Sequence, residues 1–290
     1  MATKIKDPCT ITLEPLSPVV GAEVKGVDLS RELDAETARR IIDGWHQHAV
    51  LLFRDQEISG DDQLRFAALF GPIAERVMPP AGATRPDAPD WTNLMLVTDH
   101  VDENGKPIGS LGHGDMWFHS DKCYRKRPHR VSFLYGIEIP SEGGHTRFSS
   151  QYAAYDNIPD DLKRRLDGAM VMQGYDYATT ERLNLDIDLD DILHYRQPIF
   201  VTNPGSGRKA LYVSRLNTMW IEGMARDESE DVLNRLFDLT EDPAIIYEHV
   251  WRPGDIVMWD NLACLHARTD WPADQGRLLR RCTVEGDTLY

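Results

Sequence analysis

Val131-Ser-Phe-Leu-Tyr-Gly-Ile-Glu-Ile139 reads as a β-strand. Its apolar residues Val131, Phe133, Tyr135, Ile137 and Ile139 fall on alternate positions, the period of a pleated chain with one face toward a core. Pro140 and the pair Gly143-Gly144 end it. Further apolar stretches follow at 210–214, 245–250, 256–259 and 278–284, interrupted by one helical pattern near 229–239. Many short strands with turn signals between them predict a mainly β core, a sandwich or barrel.

Upstream the pattern changes. Asp34 can cap a helix whose Ala38, Ile41, Ile42 and Trp45 share a face. Ala49-Val-Leu-Leu-Phe53 is a short buried strand, and Ser59 can cap a second helix that Gly71 and Pro72 stop. Pro159 opens a third, with Leu162 and Leu166, which Gly168 closes. These helices are expected to flank the β core. Four prolines between 79 and 91 mark a loop, and 176–191 is polar and acidic. The expectation is one domain over 1–290, with lid loops at 79–116 and 176–197.

The chain has 290 residues, enough for a well-buried core. Its 47 acidic and 32 basic residues leave a net charge of -15, with no basic stripe, which argues against nucleic acid as a partner. No apolar run reaches the ~20 residues of a membrane-spanning helix. Met1–Cys9 is polar and lacks the apolar stretch of a secretory signal, so a cytoplasmic protein is expected. Cys9, Cys123, Cys264 and Cys282 are spaced for neither a zinc knuckle nor a redox motif and read as free thiols.

A histidine followed two residues later by an aspartate can give a metal two adjacent ligands, because alternate residues of an extended chain share a face. Three such pairs occur: His100/Asp102, His113/Asp115 and His119/Asp121. The first leads into a polar turn, and the second lies among glycines. The third follows Trp117-Phe118, bulky neighbours that can wall a site, and is preferred. Non-haem Fe(II) oxygenases use two histidines and one carboxylate and leave positions open. The further histidine could be His129, His145, His194, His249 or His266. His266 stands out near a strand end, whereas His249 reads as a structural histidine within a strand. Arg277, Leu279 and Arg281 share one face of the last strand; if it points inward, two guanidiniums need anions, from a ligand or from protein carboxylates.

The ordered set Trp117-Phe-His-Ser-Asp121, Gly143-Gly-His-Thr146, Trp251-Arg-Pro-Gly-Asp255, Trp259-Asp-Asn261, His266 and Arg277 resembles the taurine dioxygenase (TauD/TfdA) family, Fe(II)- and 2-oxoglutarate-dependent dioxygenases. Gly21–Asp28, Phe53–Gln56 and Gly207–Val213 are similar to the family pattern too, so the likeness spans roughly 11–287. It implies a double-stranded β-helix, a cupin-like jelly roll with helices outside. It implies His119, Asp121 and His266 as Fe(II) ligands, Thr146 and Arg277 on the far carboxylate of the cosubstrate 2-oxoglutarate, and Arg281 on an anionic group of the substrate. With O2 the expected reaction is hydroxylation of a small organic acid, giving succinate and CO2, by a homo-oligomer.

The chain departs from the taurine enzymes where they carry a histidine and a tyrosine, since Ile73–Val77 has neither; Asp115 stands where they have an asparagine, and Asn217 replaces a pocket aromatic. Asp115 and Arg281 could then grip opposite ends of a zwitterion, with Asn217 also at the substrate. Two alternatives use the same ligands: a metal-binding jelly roll without turnover, and a zinc hydrolase that needs no 2-oxoglutarate.

Overall fold

The computed structural model describes residues 11–75, 93–110 and 112–290. The elements run β1 (Thr12–Pro15), β2 (Ala22–Lys25), α1 (Ala35–His48), β3 (Val50–Phe53), α2 (Gly60–Ala67), β4 (Met95–Val97), β5 (Met116–His119), β6 (His129–Glu138), β7 (Thr146–Ser150), α3 (Gln151–Asp156), α4 (Asp160–Leu166), β8 (Met170–Tyr175), β9 (Leu193–Pro198), β10 (Phe200–Thr202), β11 (Lys209–Leu211), β12 (Thr218–Ile221), α5 (Arg226–Thr240), β13 (Ile246–His249), β14 (Ile256–Asp260), β15 (Cys264–Arg268) and β16 (Leu278–Glu285).

A larger sheet has the order β1-β2-β3-β14-β6-β16-β4, and a smaller one the order β13-β7-β15-β5. From β13 onward the chain alternates small sheet, large sheet, small, large, as β5, β6 and β7 do earlier. That winding makes a jelly roll. Leu134, Trp259 and Leu279 of the large sheet share a core with Phe148 and Cys264 of the small one. The other face of the large sheet carries Phe53, Val131, Phe133 and Met258 under Ile41 and Trp45 of α1 and Phe66 of α2. Phe66 meets Phe53 and Phe133 edge-on, at centroid distances of 5.2 and 5.8 Å. Each such ring contributes about 1.5–3 kcal/mol by burial. Asp34 caps α1 through the Thr37 N–H at 2.8 Å, and Ser59 with Asp62 forms a capping box on α2. The sheet β12-β8-β9 packs with α3, α4 and α5 around a third apolar cluster.

β6 differs from the half-buried strand expected at Val131–Ile139. Val131, Ser132 and Phe133 are all 0% exposed, because helices cover one face and the small sheet the other, while Ile137 is exposed. Several strands, β5, β7, β8, β9 and β15 among them, lack a readable pattern, being short or polar, as in Leu193-His-Tyr-Arg-Gln-Pro198. The expected lid spans need correction. Residues 79–92 and Leu111 lie outside the described residues, Met95–Val97 pairs with β16, and Leu193–Pro198 pairs with β8. Residues 176–188 stay irregular and lead into a short turn at Leu189–Asp191. Cys123, Cys264 and Cys282 are free and buried, and Cys9 lies outside the described residues. Among the described residues no helix is long and apolar enough to cross a membrane.

Candidate metal centre

β5 and β15 are neighbours, and their register sets His266 opposite His119. Opposed residues of an antiparallel pair project to the same face, and these two rings lie 4.1 Å apart. His266 is thus mid-strand, not at the strand end expected. The chain leaves β5 at His119, and Asp121 sits in the turn that follows. Its Oδ1 lies 4.0 Å from His119 Nε2 and 3.8 Å from His266 Nε2. One donor atom from each of the three residues lies within 4.8 Å of the others. That is close to the spacing required of ligands bonded at about 2.0–2.2 Å to one ion.

The electrostatics suit a cation. His119 Nδ1 sits 2.8 Å from the Trp117 carbonyl, so Nδ1 donates and Nε2 keeps its lone pair for a metal. Burial lowers the pKa of His119 and, more strongly, of His266, so both imidazoles are neutral at pH 7. His266 Nδ1 is buried and without a hydrogen-bond partner among the described residues. Burial alone would raise the Asp121 carboxyl, but the Arg281 guanidinium beside it outweighs burial and holds the group well below the usual carboxylate range. Two neutral imidazoles and a carboxylate form the donor set of a facial triad, so the residues fit Fe(II).

The second oxygen of Asp121 is engaged elsewhere. Oδ2 accepts from Arg281 Nη2 at 2.6 Å and from the Ser132 hydroxyl. Asn261 Nδ2 donates to Ser132 Oγ at 3.0 Å, and Trp259 Nε1 donates to Asn261 Oδ1 at 3.0 Å. Leu134, Val97 and Met116 wall a cavity of about 50 Å³ beside the triad, and Thr146, Arg268, Arg277 and Arg281 also line it.

Arg277 precedes β16 and is 2% exposed. Its Nε donates to the Gly144 carbonyl at 3.0 Å, and its guanidinium lies over the Trp271 ring at 5.2 Å. No carboxylate pairs with it among the described residues. Burial, then the neighbouring charge of Arg268, pushes its pKa down to about 9. Gly144 permits this approach: its φ is +62°, and a Cβ there would stand 2.9 Å from Arg277 Nε. Thr146 Oγ1 accepts from Trp251 Nε1 at 3.0 Å.

Six of the eight expected site residues therefore meet: His119, Asp121, His266, Thr146, Arg277 and Arg281. Asp115 and Asn217 do not. Asp115 is exposed and accepts the Asp270 N–H at 2.7 Å, a bond that turns it to another surface depression. Asn217, just before β12, is buried and donates to the Gly174 carbonyl of β8 at 3.1 Å, a structural bond. His100 pairs with Glu138 at 2.8 Å, His113 with Asp270 at 3.2 Å and His145 with Glu248 at 2.6 Å. His194 contacts the Ile192 carbonyl at 3.3 Å. His249 lies 3.1 Å from Asp255 as a structural histidine, and His129 packs against Thr283. Ser132 and Arg268 were missed. A serine between Val131 and Phe133, on the opposite face from both, was the available signal for the first.

The family described as "Taurine catabolism dioxygenase TauD, TfdA family" matches residues 12–283. The chain belongs to this family. Pentalenolactone F synthase of Streptomyces avermitilis is 35% identical to it over 280 residues, covering 90% of each chain. The alpha-ketoglutarate-dependent 2,4-dichlorophenoxyacetate dioxygenase of Cupriavidus pinatubonensis is 29% identical, over 97% of this chain and 99% of that protein. The crystal structure of AAD-2 in complex with Mn(II) and N-oxalylglycine superposes with a TM-score of 0.76 at 27% identity, covering 97% and 100% of the two chains. The TauD/TfdA fold is the cupin-like jelly roll described above.

Proposed function

We propose that His119, Asp121 and His266 hold the Fe(II) of a 2-oxoglutarate-dependent dioxygenase that hydroxylates a small anionic organic molecule. The chain is a dioxygenase of the TauD/TfdA family and uses Fe(II), 2-oxoglutarate and O2. The observation that carries the residue assignment is the meeting of the triad with Arg277, a buried guanidinium that has no protein carboxylate partner among the described residues. When bound, the iron and its cosubstrate supply the oxidising power: 2-oxoglutarate loses CO2 to become succinate, and one oxygen atom goes to a C–H bond.

The chain's own residues bind, orient and exclude water. Arg277 clamps the far carboxylate of 2-oxoglutarate, a pairing for which a guanidinium fork is suited, and Thr146 Oγ1 adds a hydrogen bond beside it. Arg281 stands at the cavity wall and takes the anionic group of the substrate. Leu134, Val97 and Trp259 keep the cavity apolar around these charges, which strengthens them. The relatives are named for pentalenolactone F synthesis and for 2,4-dichlorophenoxyacetate; with Asp115 turned away, a carboxylic acid with an apolar body fits better than a zwitterion. Cytoplasmic location and homo-oligomeric assembly complete the reading, to be tested by fractionation and size-exclusion chromatography.

The test is succinate release from a panel of aryloxyalkanoates, alkyl sulfates and apolar carboxylic acids with Fe(II), 2-oxoglutarate and air. Substrate-stimulated succinate with a hydroxylated or cleaved co-product supports the proposal. Turnover that persists without O2 and 2-oxoglutarate would point to the zinc hydrolase instead, and ligand binding without any turnover to the non-catalytic jelly roll.

A further inference from the structure

We infer that Ser132 is a positioning residue that keeps one oxygen of Asp121 occupied, so that this carboxylate offers the metal a single donor atom. The inference rests on the assignment of His119, Asp121 and His266 as ligands.

Asp121 divides its oxygens. Oδ1 faces the two imidazoles at 3.8 and 4.0 Å, and Oδ2 accepts from Ser132 and from Arg281. The direction of each bond behind Ser132 is forced. An indole N–H can only donate, so Trp259 Nε1, 3.0 Å away, fixes the oxygen end of the Asn261 amide. The Asp121 backbone N–H donates to the same oxygen at 3.3 Å. The amide nitrogen therefore faces Ser132 Oγ at 3.0 Å and donates to it. That leaves the single hydroxyl proton of Ser132 for Asp121 Oδ2. The relay Trp259, Asn261, Ser132, Asp121 runs one way only, and Ser132 is 0% exposed, so water does not compete.

Ser132 and Arg281 differ in one respect. Arg281 lines the cavity, where an arriving anion can share or take its guanidinium. Ser132 lies behind the wall on β6, paired in register with Trp259 of β14 and Thr283 of β16. Its hold on Oδ2 persists when Arg281 turns to a ligand. A carboxylate free to bind through both oxygens would fill a position that the 2-oxo acid or O2 needs.

The experiment compares Ser132→Ala and Ser132→Thr with the unaltered protein, using Co(II) as a non-reacting probe ion and 2-oxoglutarate under argon. The expected result is that Ser132→Ala changes the visible absorption of bound Co(II) and weakens 2-oxoglutarate binding by about 10-fold or more, while Ser132→Thr restores both. A Ser132→Ala protein with the native Co(II) spectrum and 2-oxoglutarate affinity within about twofold overturns the inference. If Ser132→Ala does not fold, Ser132→Cys, of similar size but a poor donor, is read by the same two measures. If the unaltered protein binds no Co(II), the ligand assignment fails, which is a different result from a silent Ser132→Ala.

Discussion

Replacing Arg277 by methionine should stabilise the ligand-free protein and cripple 2-oxoglutarate binding at the same time. The guanidinium is 2% exposed, makes one hydrogen bond through Nε, and has no carboxylate partner among the described residues. Burial carries its pKa from 12.5 to about 9, which corresponds to roughly 5 kcal/mol that the fold expends to keep the charge. Part of that cost is offset by the Trp271 ring beneath the guanidinium, so the gain expected for Arg277→Met is about 1–4 kcal/mol. At roughly 2–4 °C per kcal/mol, calorimetry should show a Tm higher by about 2–16 °C. Removing one partner of a buried charge pair costs about 3–5 kcal/mol, so 2-oxoglutarate affinity, measured anaerobically by calorimetric titration, should fall about 10²–10⁴-fold. A lower Tm with unchanged 2-oxoglutarate affinity would refute the reasoning, because the guanidinium would then be a structural group with no anion to await.

Other outcomes follow from the same geometry. Asp121→Ala should lose metal binding and also about 3–5 kcal/mol of stability, because it leaves Arg281 without its carboxylate; urea titration of the metal-free protein checks the second part. Gly144→Ala, with φ +62° and a Cβ 2.9 Å from Arg277 Nε, should weaken 2-oxoglutarate binding while metal affinity stays unchanged, as parallel titrations would show. His129 is buried and its pKa is pushed down from 6.5 to about 3 by that burial. The unfolded chain therefore takes up a proton near pH 6.5 that the folded chain refuses, and stability present above that pH is lost as pH falls through the window toward 3. At pH 5 the loss from this group is about 2 kcal/mol, so urea midpoints at pH 7 and pH 5 should differ less in His129→Gln than in the unaltered protein.

The fold class was legible because short apolar stretches such as Ile256–Trp259 stand between turn signals, and the capped helices announce themselves at Asp34 and Ser59. The small sheet was not, β13 apart, since β5, β7 and β15 are only four or five residues long and carry the polar site residues themselves. The first two ligands were legible as a local pair, but His266 was singled out from five histidines by its turn-bounded surroundings. Its true support is the cross-strand register with His119, a long-range fact that no local pattern encodes. Asp115 misled because its place in the chain, four residues before His119, does not fix its direction: the bond to the Asp270 N–H turns it away. Ser132 escaped notice because a serine between Val131 and Phe133 signals only a polar residue on the other face of the strand; that this face meets Asp121 is a long-range fact.

The most direct test of the account is an anaerobic Fe(II) titration of the purified protein with 2-oxoglutarate present, repeated for His266→Ala. One ion per chain in the unaltered protein, with a visible charge-transfer absorption that needs both Fe(II) and the 2-oxo acid and vanishes in His266→Ala, is the predicted result. The same stoichiometry and absorption in both proteins would contradict it, since the iron would then sit somewhere other than between His119, Asp121 and His266.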